Sequence, residues 1–399
     1  MIETWRWFGP DDPVTLRHIV QAGATGVVTA LHEVPVGETW TEAAVLDRKR
    51  LIEEAGLTWS VVESIPVHND IKTRSGDWRR YVDNYRESLR NVGNAGVHIV
   101  CYNFMAVIDW TRTSLDRELP SSARALSFEM SDVAAYDLFI LEREGADRDY
   151  AADVRERAEA RYRSLSEDDR AELERNIIAG LPGGSGSYDR AGFRQALAEF
   201  AALGPAGLRA NLCAFLEDVL PAAEAAGVFL CIHPDDPPFP LFGLPRAMST
   251  ADDARYLFEC RPSMHNGLTL CAGSFGARSD NDLVRMAREF GPRIRFVHLR
   301  NVRREADGSF YESDHLDGDN DMLGIIAELM DEEGRRRQNG VAPGRIPMRP
   351  DHGHLIGDEA VDRNARPGYS FAGRLKGLAE LRGVMYALEE LRRRGGKMA

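Results

Sequence analysis

The chain has 399 residues, 43% of them hydrophobic, and a formal charge of −13 at neutral pH. That is enough apolar material for one large core or for roughly two to three smaller ones, while the acidic balance argues against a nucleic-acid partner, which a basic surface would attract. No run approaches the roughly 18 apolar residues of a membrane span, and the chain opens on Glu3-Thr4-Trp5-Arg6-Trp7 instead of a basic then apolar leader, so a soluble, cytoplasmic protein without a membrane partner is expected.

Short β-rich runs recur along the chain: Thr4–Phe8, Gly26–Ala30, Thr58–Glu63, His98–Asn103, Val228–His233, Leu268–Cys271, Ile294–His298 and Ile346–Arg349. Most are separated by helical patterns, the β-then-α order of a parallel sheet closed by crossover helices. Glycine stands at or near the helix end before several strands, at Gly23, Gly56, Gly96 and Gly227, as expected of a helix C-terminus. Eight such units predict a (β/α)8 TIM barrel spanning residues 1–399. The competing architecture, a doubly wound open sheet, lacks a glycine fingerprint after the first strand. Trp5 and Trp7 read as barrel packing.

The spacing breaks once, between the fourth and fifth strands. A barrel helix, Leu208–Ala226, accounts for part of that gap. The remainder, residues 111–204, is too long for a bare loop and predicts a partly helical insertion, either a lid over the site or an oligomer contact. Within it, Ala125–Leu141 reads as a hairpin or a helix start, Arg155–Ala179 as charged helix, and Gly180–Ser187 as the most flexible stretch of the chain. The five cysteines are odd in number and widely spaced, which is no disulfide framework and points to a reducing compartment.

Barrel chemistry projects from the C-terminal ends of the strands. Four successive predicted strands end in a metal-ligating residue type: His233 after Cys231-Ile232, Cys271 after Leu270, His298 after Val297, and Asp351 after Arg349-Pro350. Period-two alternation puts His233 on one face with Cys231 and Phe229, His298 with Phe296 and Ile294, and Asp351 with Arg349. Each taken alone has an ordinary explanation: a hydrogen-bonded histidine, a buried apolar-like cysteine, or an aspartate capping a turn. Together they predict a divalent metal site with an open, catalytic position. Arg300 reads as a two-pronged carboxylate clamp and Lys72 as a solvated charge. The acidic loop Glu312–Asp319 lacks the EF-hand arrangement, so it reads as a loop near the site, with His315 a minor contact.

The chain resembles the mannonate dehydratase family of xylose-isomerase-like barrels, from Trp5 to Gly383. The resemblance rests on Val62-Glu63-Ser64-Ile65-Pro66-Val67-His68, on Tyr102-Asn103-Phe104-Met105 with Asp109-Trp110-Thr111-Arg112-Thr113, and on His233-Pro234-Asp235-Asp236-Pro237-Pro238. It continues through Cys271–Gly276, Val297–Asn301, Ser313–Gly318, Arg349-Pro350-Asp351-His352-Gly353-His354, Pro367–Ser370 and Gly373–Leu378. Ala106 stands where the family usually has proline.

The resemblance implies that His233, Cys271, His298 and Asp351 hold Fe2+ or Mn2+, that His352 and Tyr369 move protons, and that D-mannonate loses water to give 2-dehydro-3-deoxy-D-gluconate in hexuronate (glucuronate) catabolism. A homo-oligomer is expected. Asn103 and His68, at the fourth and third strand ends, read as sugar-hydroxyl contacts, with Arg300 at the carboxylate. The rival readings are a metal-dependent sugar isomerase or epimerase on the same barrel, a dehydratase of another aldonate, and an inactive sugar-acid binder.

Overall fold

The computed structural model of the chain describes residues 1–178, 188–362 and 364–395. In chain order, β1 (Ile2–Arg6), β2 (Gly26–Thr29), β3 (Thr58–Glu63) and β4 (Ile99–Tyr102) precede β5 (Ser114–Glu118) and β6 (Arg124–Phe128). Then come β7 (Phe229–Ile232), β8 (Asn266–Cys271), β9 (Ile294–His298), β10 (Val302–Arg304), β11 (Phe310–Glu312) and β12 (Pro347–Arg349). Eight of these close into a parallel barrel in the order β1-β2-β3-β4-β7-β8-β9-β12, sealed by Ile2 opposite Pro347. They are the eight predicted strands. Only the first is displaced, ending at Arg6 and not at Phe8, because the Asp12 carboxylate accepts from Phe8 N at 2.8 Å and Gly9, at φ 97°, turns the chain away.

Val28, Val61, Ile99, Cys101, Cys231 and Phe296 meet in one buried cluster, contributed by alternate positions of neighbouring strands, the packed interior of a barrel. The outer faces of the strands bury against helices, so both faces are apolar. Helix Glu42–Glu54 is typical: Thr41 Oγ1 caps it by accepting from Ala44 N at 3.3 Å, and Val45 and Ile52 face the strands. At Gly56 and Gly96 a Cβ would meet nothing within 4 Å, yet φ is 76° and 79°. Glycine is needed there for the left-handed turn between helix and strand.

The insertion holds structure of its own. Ala125–Leu141 holds one strand of a hairpin, β6, whose partner β5 lies before it, followed by a helix at Met130–Ala135 and a π turn at Tyr136–Ile140. The charged stretch is two helices, Ala152–Ser164 and Glu167–Ile178, broken where Ser166 and Asp169 bond each other's backbone N–H at 3.0 and 3.1 Å, a capping pair. Gly180–Ser187 lies outside the described residues. Two features were not anticipated: the β10-β11 hairpin beyond β9, and its antiparallel union with the insertion in the order β10-β11-β6-β5. Phe128 stacks on Phe310 across that junction at 5.3 Å. The insertion is thereby built into the wall of the barrel mouth.

The cysteines correct the expectation of no bridge. Cys213 and Cys260 form a disulfide between helix Gly204–Ala225 and helix Ala251–Cys260, while Cys101, Cys231 and Cys271 are free and buried. A loop of 47 residues is closed, for which chain entropy predicts about 4 kcal/mol of stabilisation. Cys213→Ser should therefore lower the thermal midpoint, and wild type should fall to meet it on reduction; midpoints that ignore both changes would assign the bridge no energetic role. Among the described residues no helix is long and apolar enough to cross a membrane.

Candidate active site

His233 lies one residue beyond β7, Cys271 and His298 end β8 and β9, and Asp351 lies beyond β12. Those strands are neighbours in the barrel, with Cys271 level with His298, so the four side chains converge at its C-terminal mouth. His233 Nε2 stands 3.2 Å from His298 Nδ1, and these atoms and Cys271 Sγ all lie within 4.8 Å of one another. Asp351 Oδ2 is 3.7 Å from His298 Nδ1 and 3.8 Å from Cys271 Sγ.

The donor set fits a divalent transition metal. Two nitrogens each bound at about 2.1 Å stand about 3 to 3.4 Å apart at the angles such ions prefer, and two imidazoles, a sulfur and a carboxylate are the ligand types of iron and zinc. The outer nitrogen of His233 is engaged as a ligand requires, with Nδ1 2.7 Å from Pro234 O; His298 Nε2 makes no hydrogen bond among the described residues but faces the Glu63 carboxylate at 3.5 Å. Burial holds His298 well below its ordinary value, aided by Arg349. At His233 burial acts in the same sense, but the negative charge of Cys271 outweighs it and lifts the ring to about 10.

Asp351 has φ 66°. This left-handed backbone turns the chain so that Asp351 and the next residue, His352, both face the site, at a cost of order 1–3 kcal/mol for a non-glycine residue.

Around the donors, buried arginines and carboxylates alternate. Arg349 bonds Glu63 at 2.9 Å and also Asp351; Arg6 meets Glu63 at 2.9 Å. Arg112 bonds Asp236 at 2.7 Å and Glu312 at 2.8 Å, and Arg300 reaches Asp236, Glu312 and, at 2.7 Å, Asp351. The guanidinium groups, working against burial, keep Glu63, Asp236 and Asp351 ionised and hold Glu312 at about 2. Arginine and carboxylate charges cancel within this lattice. A divalent ion with a thiolate ligand adds one net positive charge, the complement of a monoanionic acid.

His352 and Tyr369 form a second buried, hydrogen-bonded pair. His352 Nε2 is 3.0 Å from the Tyr369 hydroxyl, and Nδ1 is 3.1 Å from Glu312 Oε1. The carboxylate can only accept, so Nδ1 carries the hydrogen and Nε2 presents a lone pair to the phenol. Burial, reinforced by Asp351, pushes Tyr369 up to about 12, which keeps it protonated. The spacing is fixed by backbone contact: a Cβ on Gly373 would lie 1.9 Å from His354 O, and one on Gly353 would lie 2.3 Å from the Gly373 carbonyl carbon. Arg374, buried and lacking an ion-pair partner among the described residues, bonds the carbonyls of Tyr369, Ser370 (3.0 Å) and Arg6 (2.8 Å).

The other expected site residues divide. Asn103 joins His233, Asp351, His352 and Tyr369 in lining one cavity. Arg300 is there too and is a carboxylate clamp, though on the protein's own acids. His68 lies outside that lining; it caps helix Asn69–Thr73, accepting from Asp70 N at 3.1 Å, and stacks on Tyr81 at 3.8 Å. His315 supports the site from behind, 2.8 Å from Pro350 O. Lys72 is a correction: it is 2% exposed, not a solvated charge. Glu312, Glu63, Asp236 and Arg112 had been given no role. All lie in or beside the stretches that carry the family resemblance, but nothing in their spacing reveals which ions they meet.

The profile of the D-mannonate dehydratase (UxuA) family matches residues 1–395. The chain is 60% identical to the mannonate dehydratase of Saccharophagus degradans over 393 residues, 98% of this chain and 99% of that one. It is 52% identical to mannonate dehydratase 2 of Agrobacterium fabrum over 99% of each chain. The crystal structure of mannonate dehydratase from Streptococcus suis serotype 2 superposes with a TM-score of 0.78 at 33% identity, covering 100% of this chain and 99% of that one. On a match of this length and depth, the chain belongs to the D-mannonate dehydratase family of metal-dependent hydro-lyases.

Proposed function

We propose that His233, Cys271, His298 and Asp351 hold Fe2+ or Mn2+, and that His352, oriented by Glu312, and Tyr369 move the protons as D-mannonate becomes 2-dehydro-3-deoxy-D-gluconate and water. The carrying observation is the Glu312–His352–Tyr369 chain, with contacts of 3.1 and 3.0 Å, whose His352 and Tyr369 line one cavity with His233 and Asp351 of the donor set. A bound divalent ion supplies Lewis acidity, favouring charge that develops on the carboxylate and the 2-hydroxyl. Sulfur among the donors favours iron over manganese.

The protein's own steps are proton transfers. His352 Nε2, its tautomer set by Glu312, takes the C2 proton as general base. The Tyr369 phenol gives its proton to the departing 3-hydroxyl, the C3–O bond breaks, water leaves and a C2–C3 enol remains. The imidazolium returns its proton to the phenolate across the 3.0 Å contact, resetting both groups. The enol then loses its hydroxyl proton and gains one at C3, giving the 2-oxo-3-deoxy acid. Arg300 and Arg349 keep Asp351 ionised, and Arg300 adds positive charge beside the substrate carboxylate. Asn103 binds a sugar hydroxyl.

The insertion, residues 111–204 of one barrel domain, acts as a cover anchored to the mouth. Supporting this reading, β6 pairs with β11, the strand that ends in Glu312, and Arg112 enters the site from its first residues. The same reading makes the chain a cytoplasmic homo-oligomer of hexuronate catabolism; sedimentation of the purified protein reads its assembly state. Function is tested by incubating the metal-reconstituted protein with aldonic acids and aldoses. A 2-keto-3-deoxy acid formed from D-mannonate, and only with metal, is expected. Ketose formed from an aldose would favour the isomerase reading, and turnover confined to another aldonate would change the substrate.

A further inference from the structure

Lys72 lies on helix Asn69–Thr73, just beyond the third barrel strand, with its ammonium buried. Its one ionic neighbour among the described residues is Asp109 Oδ1, at 3.9 Å, too far for a hydrogen bond. A buried lysine whose ionic neighbour stands beyond hydrogen-bond reach is costly, and such groups persist where a ligand satisfies them. Nearby atoms share the condition. Asp109 Oδ1 and Trp110 Nε1 are buried without hydrogen-bond partners among the described residues, while Asp109 Oδ2 accepts only a long bond, 3.4 Å, from Asn103 Nδ2. These groups lie on loops after β3 and β4, on the face where barrels bind substrates. The cluster reaches the reacting centre at two points: Asn103 and Trp110 line the cavity with His233 and His352, and the Trp110 ring meets the His352 ring edge-on at 6.1 Å.

We propose that Lys72, Asp109 and Asn103, with the Trp110 indole N–H, form the subsite for the distal hydroxyls of the sugar acid and so set the chain length the enzyme prefers; this rests on the function proposed above. The chemistry is that of a polyol. Each hydroxyl both donates and accepts, and here ammonium, amide and indole donors stand beside a carboxylate acceptor. A site built to bond hydroxyls discriminates strongly against an acid that lacks them, because its own buried groups are then left unpaired.

The test compares Lys72→Met and Asp109→Asn with the protein that is wild type at both positions, all metal-loaded and all carrying Tyr369→Phe, which slows turnover so that substrate binding reaches equilibrium. Equilibrium dissociation constants are measured for D-mannonate and for a four-carbon 2,3,4-trihydroxy acid, which shares the reacting end but not the tail. Both variants should weaken D-mannonate at least about tenfold and the short acid less than about twofold. Lys72→Met should also keep or raise the thermal midpoint, since an apolar side chain replaces a buried charge held only by a distant carboxylate. Equal losses for both acids, or none, would overturn the subsite. Asp109→Asn keeps the comparison available should Lys72→Met fold poorly. A protein wild type at both positions that binds neither acid would fail the function proposed above, whereas variants that leave the ratio of the two constants unchanged fail only this subsite.

Discussion

Tyr369→Phe is expected to lower kcat by about 10²–10⁴-fold, the range for loss of a positioned acid or base, while bound metal stays at the wild-type stoichiometry. In free energy this is about 3–5 kcal/mol of transition-state stabilisation. The substitution removes one oxygen, and that oxygen touches His352 and no metal donor. The ring itself packs edge-on against Phe8 at 4.9 Å and against His352 at 4.9 Å, contacts that phenylalanine keeps. Burial lifts the phenol to about 12, so the lost group is a proton donor throughout the neutral range. Metal analysis and steady-state kinetics on one preparation check the result, and full activity would remove Tyr369 from the mechanism.

Cys271→Ser should take away metal and rate together. The sulfur is buried at the end of β8 with the N–H of Ser274 at 3.4 Å and its hydroxyl at 3.1 Å, a pocket able to hold either serine or cysteine, so the fold should survive. What changes is the donor. A serine hydroxyl stays protonated where a thiol near a cation ionises, and the net positive charge of the loaded site rises by one. Outer partners of metal ligands cost about 10–100-fold in affinity when removed; loss of a direct ligand should exceed that. Wild-type metal content in the variant would reduce Cys271 to a packing residue.

The barrel was legible because its signal repeats. Eight apolar runs, most of them followed by helix, are hard to produce by accident, and Gly56 and Gly96 mark helix ends by a local backbone requirement. The convergence of the proposed metal donors was legible for a related reason: the end of a barrel strand is a fixed address, so His233, Cys271 and His298 could be placed without side-chain coordinates. Asp351 came from the same rule, although its left-handed backbone did not. The β10-β11 hairpin stayed hidden because three-residue strands carry no periodicity. Lys72 was misread because a lysine on a polar helix is ordinarily solvated, and only the packing of helix Gly204–Ala225 over it, with Asn211 bonding the Lys72 carbonyl at 2.8 Å, decides otherwise. The Ser166–Asp169 capping pair was readable in the sequence and would have split the charged helix correctly.

The chain carries two kinds of sulfur with opposite needs. Cys213–Cys260 is an oxidised pair that strong reductant can open, whereas Cys271, in the metal-holding role proposed above, acts only as an unoxidised thiolate. Handling conditions therefore trade robustness against potency. Dithiothreitol in a purification buffer guards the ligand but cuts the staple, and can itself chelate the ion; air preserves the staple and exposes the ligand to sulfenic acid. A reductant unable to chelate, with the ion restored last, keeps the thiolate intact for loading.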